Sequence, residues 1–525
     1  MTGRMRGSLA MSLGLACLTM AAAGPSALAQ QEPAVQAALR YIRGRMPNLP
    51  GAGESGMMAL AMIKAEVPAT DPALAACINK VRSRFTSSEY FPERTEGQGP
   101  YEAGVSAMAL AALDPIGNRP FLQMIANYLL ANQNANGSWD YKGRTAGDTS
   151  ITQYAVLGLW EAESANVRVP PHAWERIASF YISTQLDDGG WVYHHDEMNL
   201  SSETVSMTAA ATGSLLICHR QLDPYRIEKR TTTTLLTPLG EDGVGGFKLG
   251  LKFHDLEHSI NRGMSWISGH FTTSPPAAGQ SPYYMLYGLE RIGALSNRQS
   301  IGRLDWYQRG VAFLHGTQKA DGSWEGMNGP DVNTSWGILF LTKSTAKTLR
   351  RIQIQRLGAG TLLGGRGLPR DLSSMTIAGG RVVSRPMNGA IEGMLAVLED
   401  PRAEKAEAAV AGLVERYYRE GPDALRPFKL RFRKMLTDRD PGLRRVAAWS
   451  LAHTGDMDVV PNLIDTLVDP DPDVVDAARM GLELISRKIE GLGPPSPSTP
   501  AQRKEAAARW RDWYNAIRPL DVATE

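Results

Sequence analysis

Three copies of one short string limit what this chain can fold into. They read QNANGSW at Gln133–Trp139, QLDDGGW at Gln185–Trp191 and QKADGSW at Gln318–Trp324. The fixed positions are Gln133, Gly137 and Trp139, then Gln185, Gly189 and Trp191, then Gln318, Gly322 and Trp324. Each copy follows a helical stretch with an aromatic close upstream (YLLANQ, FYISTQ, FLHGTQ) and precedes a stretch of small and apolar residues. Glycine gives the turn its backbone freedom, and tryptophan covers the turn while its N–H seeks a partner. A hydroxyl residue falls ten positions after each tryptophan: Thr149, Ser201 and Thr334. Such a residue suits the N-cap of a following helix, where its oxygen accepts orphan backbone N–H groups. The string therefore reads as the corner of a helical hairpin.

Looser copies fill the intervals. Helices are expected near 34–45 and 55–66, then over 73–85 and 101–113, and a further hairpin from about 258 to 295. With the three clear corners this makes six hairpins over 34–346. A helix pair of this kind cannot bury both faces alone and must stack on neighbours, and six pairs admit closure into a ring. Composition agrees with a packed chain. Among 525 residues, 43% are apolar, too many for a disordered protein. The 56 Lys and Arg against 54 Asp and Glu lack the basic excess of a nucleic-acid binder, so no nucleic-acid partner is expected.

The segment RGVAFLHGTQKADGSW, Arg309–Trp324, resembles the QW repeat of squalene and oxidosqualene cyclases and of protein prenyltransferase β-subunits. The resemblance implies an all-α chain with an (α/α)6 toroid over 30–346. It does not bring those families' chemistry with it. Triterpene cyclases protonate an alkene with an Asp of a D-x-D-D cluster inside an aromatic cavity. No D-x-D-D lies on any hairpin, although Tyr154, Trp160, Tyr283, Tyr284, Tyr287 and Trp336 are available to face a lumen or to pack a core. Prenyltransferase β-subunits hold zinc with Asp, Cys and His. Here Cys218 stands beside His219 with no Asp-x-Cys before it, and the Gly-Cys-Gly-Glu-Gln thioester string of a third toroid group is absent. No cofactor is expected.

One geometric pattern remains. Inner helices of a toroid run parallel, so their N-termini open at one mouth. Near those starts lie Glu54, Glu102, Asp148 with Thr149, Glu203 with Ser201, and Asp331 with Thr334. Dipole and capping preferences alone place acids and hydroxyls there. The alternative is a polar rim that binds a sugar or cation, with Asp148 and Asp331 as candidate acids. His254 and His258, at i and i+4 around Asp255, have zinc-protease spacing but an Asp for the usual Glu, and read as solvated histidines or a metal pair.

Residues 1–29 have the three-part layout of a secretory signal peptide: Arg4 and Arg6, an apolar run Leu9–Ala23, and Ala27-Leu28-Ala29 before the cleavage point. A periplasmic or secreted location is expected, with no transmembrane span after cleavage. Cys77 and Cys218, in apolar helical patterns, read as buried thiols.

Beyond the ring, residues 347–397 form a basic and glycine-rich connector. Asp400-Pro401, Asp440-Pro441 and Asp471-Pro472 then recur in steps of 40 and 31 residues. LTDRDPGLRRVAAWSL and LVDPDPDVVDAARMGL resemble HEAT repeats, in which Asp-Pro turns start helices. The resemblance implies a short HEAT-like α-α superhelix over 398–490 and a surface for an unknown protein partner. A Pro/Ser linker, 491–502, leads to a C-terminal helix and tail, 503–525, where Trp510 and Trp513 can dock. The expected function is binding or scaffolding outside the cytoplasm without recognisable catalytic residues. The alternatives are an isoprenoid or triterpenoid cyclase-like enzyme and a toroid enzyme acting on polysaccharide, with a lipid or glycan as ring ligand.

Overall fold

The computed structural model describes residues 27–93, 98–197, 204–226, 247–271, 281–358, 375–378, 381–384, 386–403, 405–488, 491–496 and 498–517. Residues 1–26 of the leader, Ser201 and Glu203 lie outside them. Twelve helices come first: α1 (Ala27–Gly44), α2 (Ala52–Lys64), α3 (Pro72–Arg82), α4 (Gly99–Leu113), α5 (Arg119–Ala131), α6 (Thr149–Ser164), α7 (Pro171–Ser183), α8 (Val205–Leu222), α9 (Phe253–His270), α10 (Pro282–Ser296), α11 (Trp306–Thr317) and α12 (Pro330–Leu341). Each even-numbered helix packs on the next, and α12 returns to pack on α2. The circuit is closed, with odd-numbered helices outside it. This is the expected (α/α)6 toroid.

The two helix layers differ in composition for a physical reason. Outer helix α5 buries Leu122, Ile125, Ala126 and Leu129, a single stripe at helical spacing. Inner helix α6 is buried without interruption from Thr149 to Ala162, because one face meets the outer layer and the other the bore. Close contact between inner helices needs small residues. A Cβ at Gly104 on α4 would stand 2.1 Å from the Tyr154 carbonyl oxygen of α6.

The glutamine-to-tryptophan corners share one geometry. Gln133, Gln185 and Gln318 each donate through Nε2 at 3.0 Å to the carbonyl of their own turn glycine. The same amides reach the following outer helix at Ala173, Ser259 and Ala34. Trp139, Trp191 and Trp324 donate Nε1–H at 2.9 Å to Leu129, Tyr181 and Leu314, ten residues back. Gly137, Gly189 and Gly322 sit at φ of 94°, 101° and 90°. There a Cβ would strike the next outer helix, at Ala37 O for Gly322. The third corner thus grips α1 and fastens the two ends of the ring.

The register of the hydroxyls differs from the expected ten-residue spacing. The motif tryptophans donate their backbone N–H to Thr152, Thr208 and Thr334, which lie 13, 17 and 10 residues on. These threonines sit inside the helices, and the side-chain N-caps are instead Asp148 for α6 and Thr204 for α8. Loop length between corner and helix varies, so only the third copy keeps the spacing read from sequence.

Helix α13 (Ser344–Gly358) leaves the ring, and a short hairpin pairs Met375–Ala378 with Arg381–Ser384. Then come α14 (Ile391–Glu399), α15 (Ala406–Glu420), α16 (Lys429–Met435), α17 (Pro441–His453), α18 (Val460–Thr466), α19 (Pro472–Ser486) and α20 (Pro500–Ile517). Asp440 and Asp471 cap α17 and α19 through their side chains. Asp400 departs from the expectation: it ends α14 and accepts the Arg402 N–H, and α15 starts only at Ala406. Trp510 is fully buried and donates to Gly493 O at 2.8 Å. Arg479 on α19 meets Asp223, just after α8, at 2.6 Å and so ties this array to the ring. No helix among the described residues is long and apolar enough to cross a membrane.

His453 carries a pH prediction. It is packed against Trp449 at 4.2 Å and Tyr417 at 4.8 Å, and burial pushes its imidazole down to about 4. The unfolded chain takes up this proton first, so stability is complete above the unfolded value and falls as pH drops from about 6.5 to about 4. The loss attributable to this group is up to about 3 kcal/mol. Denaturant midpoints across that range should slope, and His453→Phe should flatten the slope.

Candidate functional site

In a six-membered ring, inner helices that are not neighbours can touch only across the bore. Several pairs do. Trp336 on α12 donates Nε1–H to the Tyr154 hydroxyl on α6 at 3.1 Å. Tyr284 on α10 stacks over Tyr154 with centroids 6.3 Å apart, and accepts from Gln153 at 2.9 Å. Arg291 donates to Gln153 at 2.7 Å and lies over the Tyr287 ring at 4.5 Å. Tyr287 in turn reaches the Met108 sulfur on the opposite helix α4. Tyr154, Tyr284, Tyr287, Trp336, Gln153 and Arg291 are all buried. The bore is crossed by the protein's own side chains. Of the other aromatics considered for a lumen, Tyr283 faces Phe313 of the outer layer and Trp160 belongs to the ring core.

Helix α13 closes the bore at the C-terminal ends of the inner helices. Arg351 donates to Glu161 at 2.6 Å and to the Ala111 carbonyl at 2.7 Å. Thr348 accepts from Lys64 at 2.7 Å and donates to Glu161 at 3.0 Å. Thr345 donates to Glu290 through both its N–H and its hydroxyl. Burial would raise the Glu161 carboxyl, but Arg351 and Lys64 hold it below the usual range. Burial wins at Glu290, which is raised, and lowers the Lys64 ammonium to about 8. Lys64, Glu161 and Glu290, all buried, and the partly buried Arg351 thus come together from four helices.

The opposite mouth receives the predicted rim residues, and most are engaged in building it. Glu102 accepts the Glu93 N–H at 2.9 Å and the Tyr90 hydroxyl at 3.1 Å, which fixes the loop before α4. Asp331 accepts from Tyr41 at 2.7 Å and pairs with Arg45 at 2.9 Å, binding α12 to α1. Thr149 opens α6 and donates to Val192 O at 2.7 Å, and Thr334 serves the Trp324 corner. Glu54 lies in the first turn of α2. One candidate meets a histidine that the rim pattern does not include: Asp148 caps α6 with Oδ1 and holds His194 Nε2 at 3.1 Å with Oδ2. The hydrogen bond that His194 donates to Asp148 raises its imidazole above its ordinary value. Tyr141 and Tyr193 flank this pair, 36% and 40% exposed. The signal for them was an aromatic two residues after the tryptophan in two of the three copies.

His254 and His258 lie exposed on α9 with rings 6.1 Å apart. Among the described residues no three His, Cys, Asp or Glu side chains converge as a metal site. Cys77 and Cys218 are buried and unpaired, and burial pushes the Cys77 thiol up to about 12.

A family model for HEAT repeats matches residues 391–483. No curated protein matches the chain in sequence. Among solved structures, the chain is similar to a type II terpene cyclase from Scytonema in complex with its substrate geranylgeranyl dihydroxybenzoate. The identity is 12% and the TM-score 0.41, covering 61% of this chain and 98% of that one. A ligand-free form of the same cyclase is similar at 12% identity and a TM-score of 0.40, with the same coverage. The chain is therefore similar to HEAT-repeat proteins over 391–483, while its toroid stands on the closed circuit of its own helices.

Proposed function

We propose that this is an exported binding or scaffolding protein in which the toroid serves as a rigid body and holds no reaction chamber. The observation that carries the reading is the aromatic bridge across the bore: Tyr154, Tyr284 and Trp336 meet where an enclosed ligand would have to lie. The HEAT-type array adds support, since such arrays present extended surfaces to protein partners. Export rests on the basic, apolar and small-residue segments of 1–29, and the exported protein is expected to begin at Gln30, read by intact mass.

Incubation of the purified protein with squalene and with a geranylgeranylated phenol, followed by extraction and mass spectrometry, tests the main point. No cyclised product above a boiled control is expected. A cyclised product would replace this reading with the lipid-cyclase one. A second reading, a toroid acting on polysaccharide, is favoured by the Asp148–His194 pair between two half-exposed tyrosines. Release of reducing sugar that is lost in Asp148→Asn would establish it.

A further inference from the structure

We propose a second ligand site, outside the ring, for an anionic amphiphile: one compact phosphate or carboxylate head on an apolar body. A cavity of about 630 Å³ lies where the segment leading into α9 faces the C-terminal region. That volume is in the range of small-molecule sites, roughly 300–1,000 Å³. Its ionisable lining is of one kind: Arg226, Lys252 and His254 from the ring side and Arg509 from α20. No carboxylate lines it among the described residues. Its remaining walls are largely apolar, with Phe253 and Leu492 facing from the two sides.

The cationic groups are held in place. The Arg226 guanidinium lies over the Phe253 ring at 4.8 Å and meets the buried Glu257 at 3.1 Å from outside the lining. Arg509 donates to the Leu492 carbonyl at 3.1 Å and to Glu505 at 2.9 Å. Glu175 accepts the Gly250 and Leu251 N–H groups and fixes the wall between them. Lys252 and His254 are exposed. Two guanidinium groups at set positions, with the Lys252 ammonium in the same lining, favour an oxyanion, and the leucine and phenylalanine walls favour an alkyl or aryl body. The ligand would touch both the ring and α20, so its binding should also stabilise their docking.

Calorimetric titration of the full chain with octyl phosphate, octanoate and inorganic phosphate, at low and at moderate salt, tests this. Octyl phosphate is expected to bind with one site per chain, and Lys252→Glu with Arg509→Glu should weaken it by at least about tenfold, one charge-assisted contact or more. Octanoate binding more tightly than octyl phosphate would assign the head as a carboxylate and sustain the site. Lys252→Glu alone changes an exposed side chain and serves as the variant whose folding is not in question; it should show a smaller loss in the same direction. Binding unaffected by either variant, binding of inorganic phosphate as tight as octyl phosphate, or no binding of any probe would each overturn the proposal. None of these outcomes bears on whether the ring turns over an isoprenoid.

Discussion

Trp324→Ala is expected to cost about 4 kcal/mol and to unfasten the ring at its seam. The side chain is fully buried, donates to Leu314 O at 2.9 Å, and packs where a Cβ on Gly337 would stand 2.8 Å from its ring. Removing it leaves a large cavity and takes one of two donors from the Leu314 carbonyl, which keeps the Gln318 N–H at 3.0 Å. The same corner holds α1 through the bond from Gln318 to Ala34 O. Denaturant unfolding should therefore show the loss, and limited proteolysis should cut first between α1 and α2. Gln318→Ala, which removes hydrogen bonds without a cavity, should cost only about 1 kcal/mol. A Trp324→Ala protein as stable and protease-resistant as wild type would contradict the clasp.

The second large effect is expected from Arg351→Met, at about 3–5 kcal/mol. Its guanidinium is the main partner of Glu161, which is 4% exposed and held by Thr348 besides. Removing one partner strands the other charge in the bore. Glu161→Leu in the same chain should recover much of the loss, so a double-mutant cycle should give a coupling above about 1 kcal/mol. The two proteins should also differ in the sign of their pH dependence. In wild type Glu161 is held below its ordinary value of 4.5, so its contribution is present above that pH and is lost as pH falls. In Arg351→Met only Lys64 and Thr348 remain to oppose burial, so the carboxyl should rise relative to wild type and the penalty should shrink as pH falls and protonation neutralises the group. A cost under about 1 kcal/mol, or identical pH slopes, would mean that α13 does not close the bore as a charged plug.

Much of the rest was legible before any coordinates. Glutamine, glycine and tryptophan at fixed spacing specified the corners, because a positive-φ turn, a carbonyl-seeking amide and an indole N–H ten residues from its acceptor are all short-range chemistry. Asp-Pro before α17 and α19 specified two helix starts by the same kind of local bond. Where the loop between corner and helix changed length, the reading of Thr149 and Ser201 as equivalents of Thr334 lost its basis, since hydroxyl and tryptophan meet in space and not at a fixed count.

The sequence by itself determined an all-α chain of hairpins, its corners and its second repeat. Only the tertiary structure decided what occupies the ring. Inner helices such as α6 are buried on every face, so no periodic stripe marks which face turns inward. Trp336 and Tyr154, 182 residues apart, meet because six helices close and each is rotated by its neighbours' packing. The same holds for Asp148 with His194 and for Lys64, Glu161 and Arg351. Local bonds are fixed by a few torsions between nearby residues, whereas contacts across the bore follow from the relative rotation of every helix in the ring.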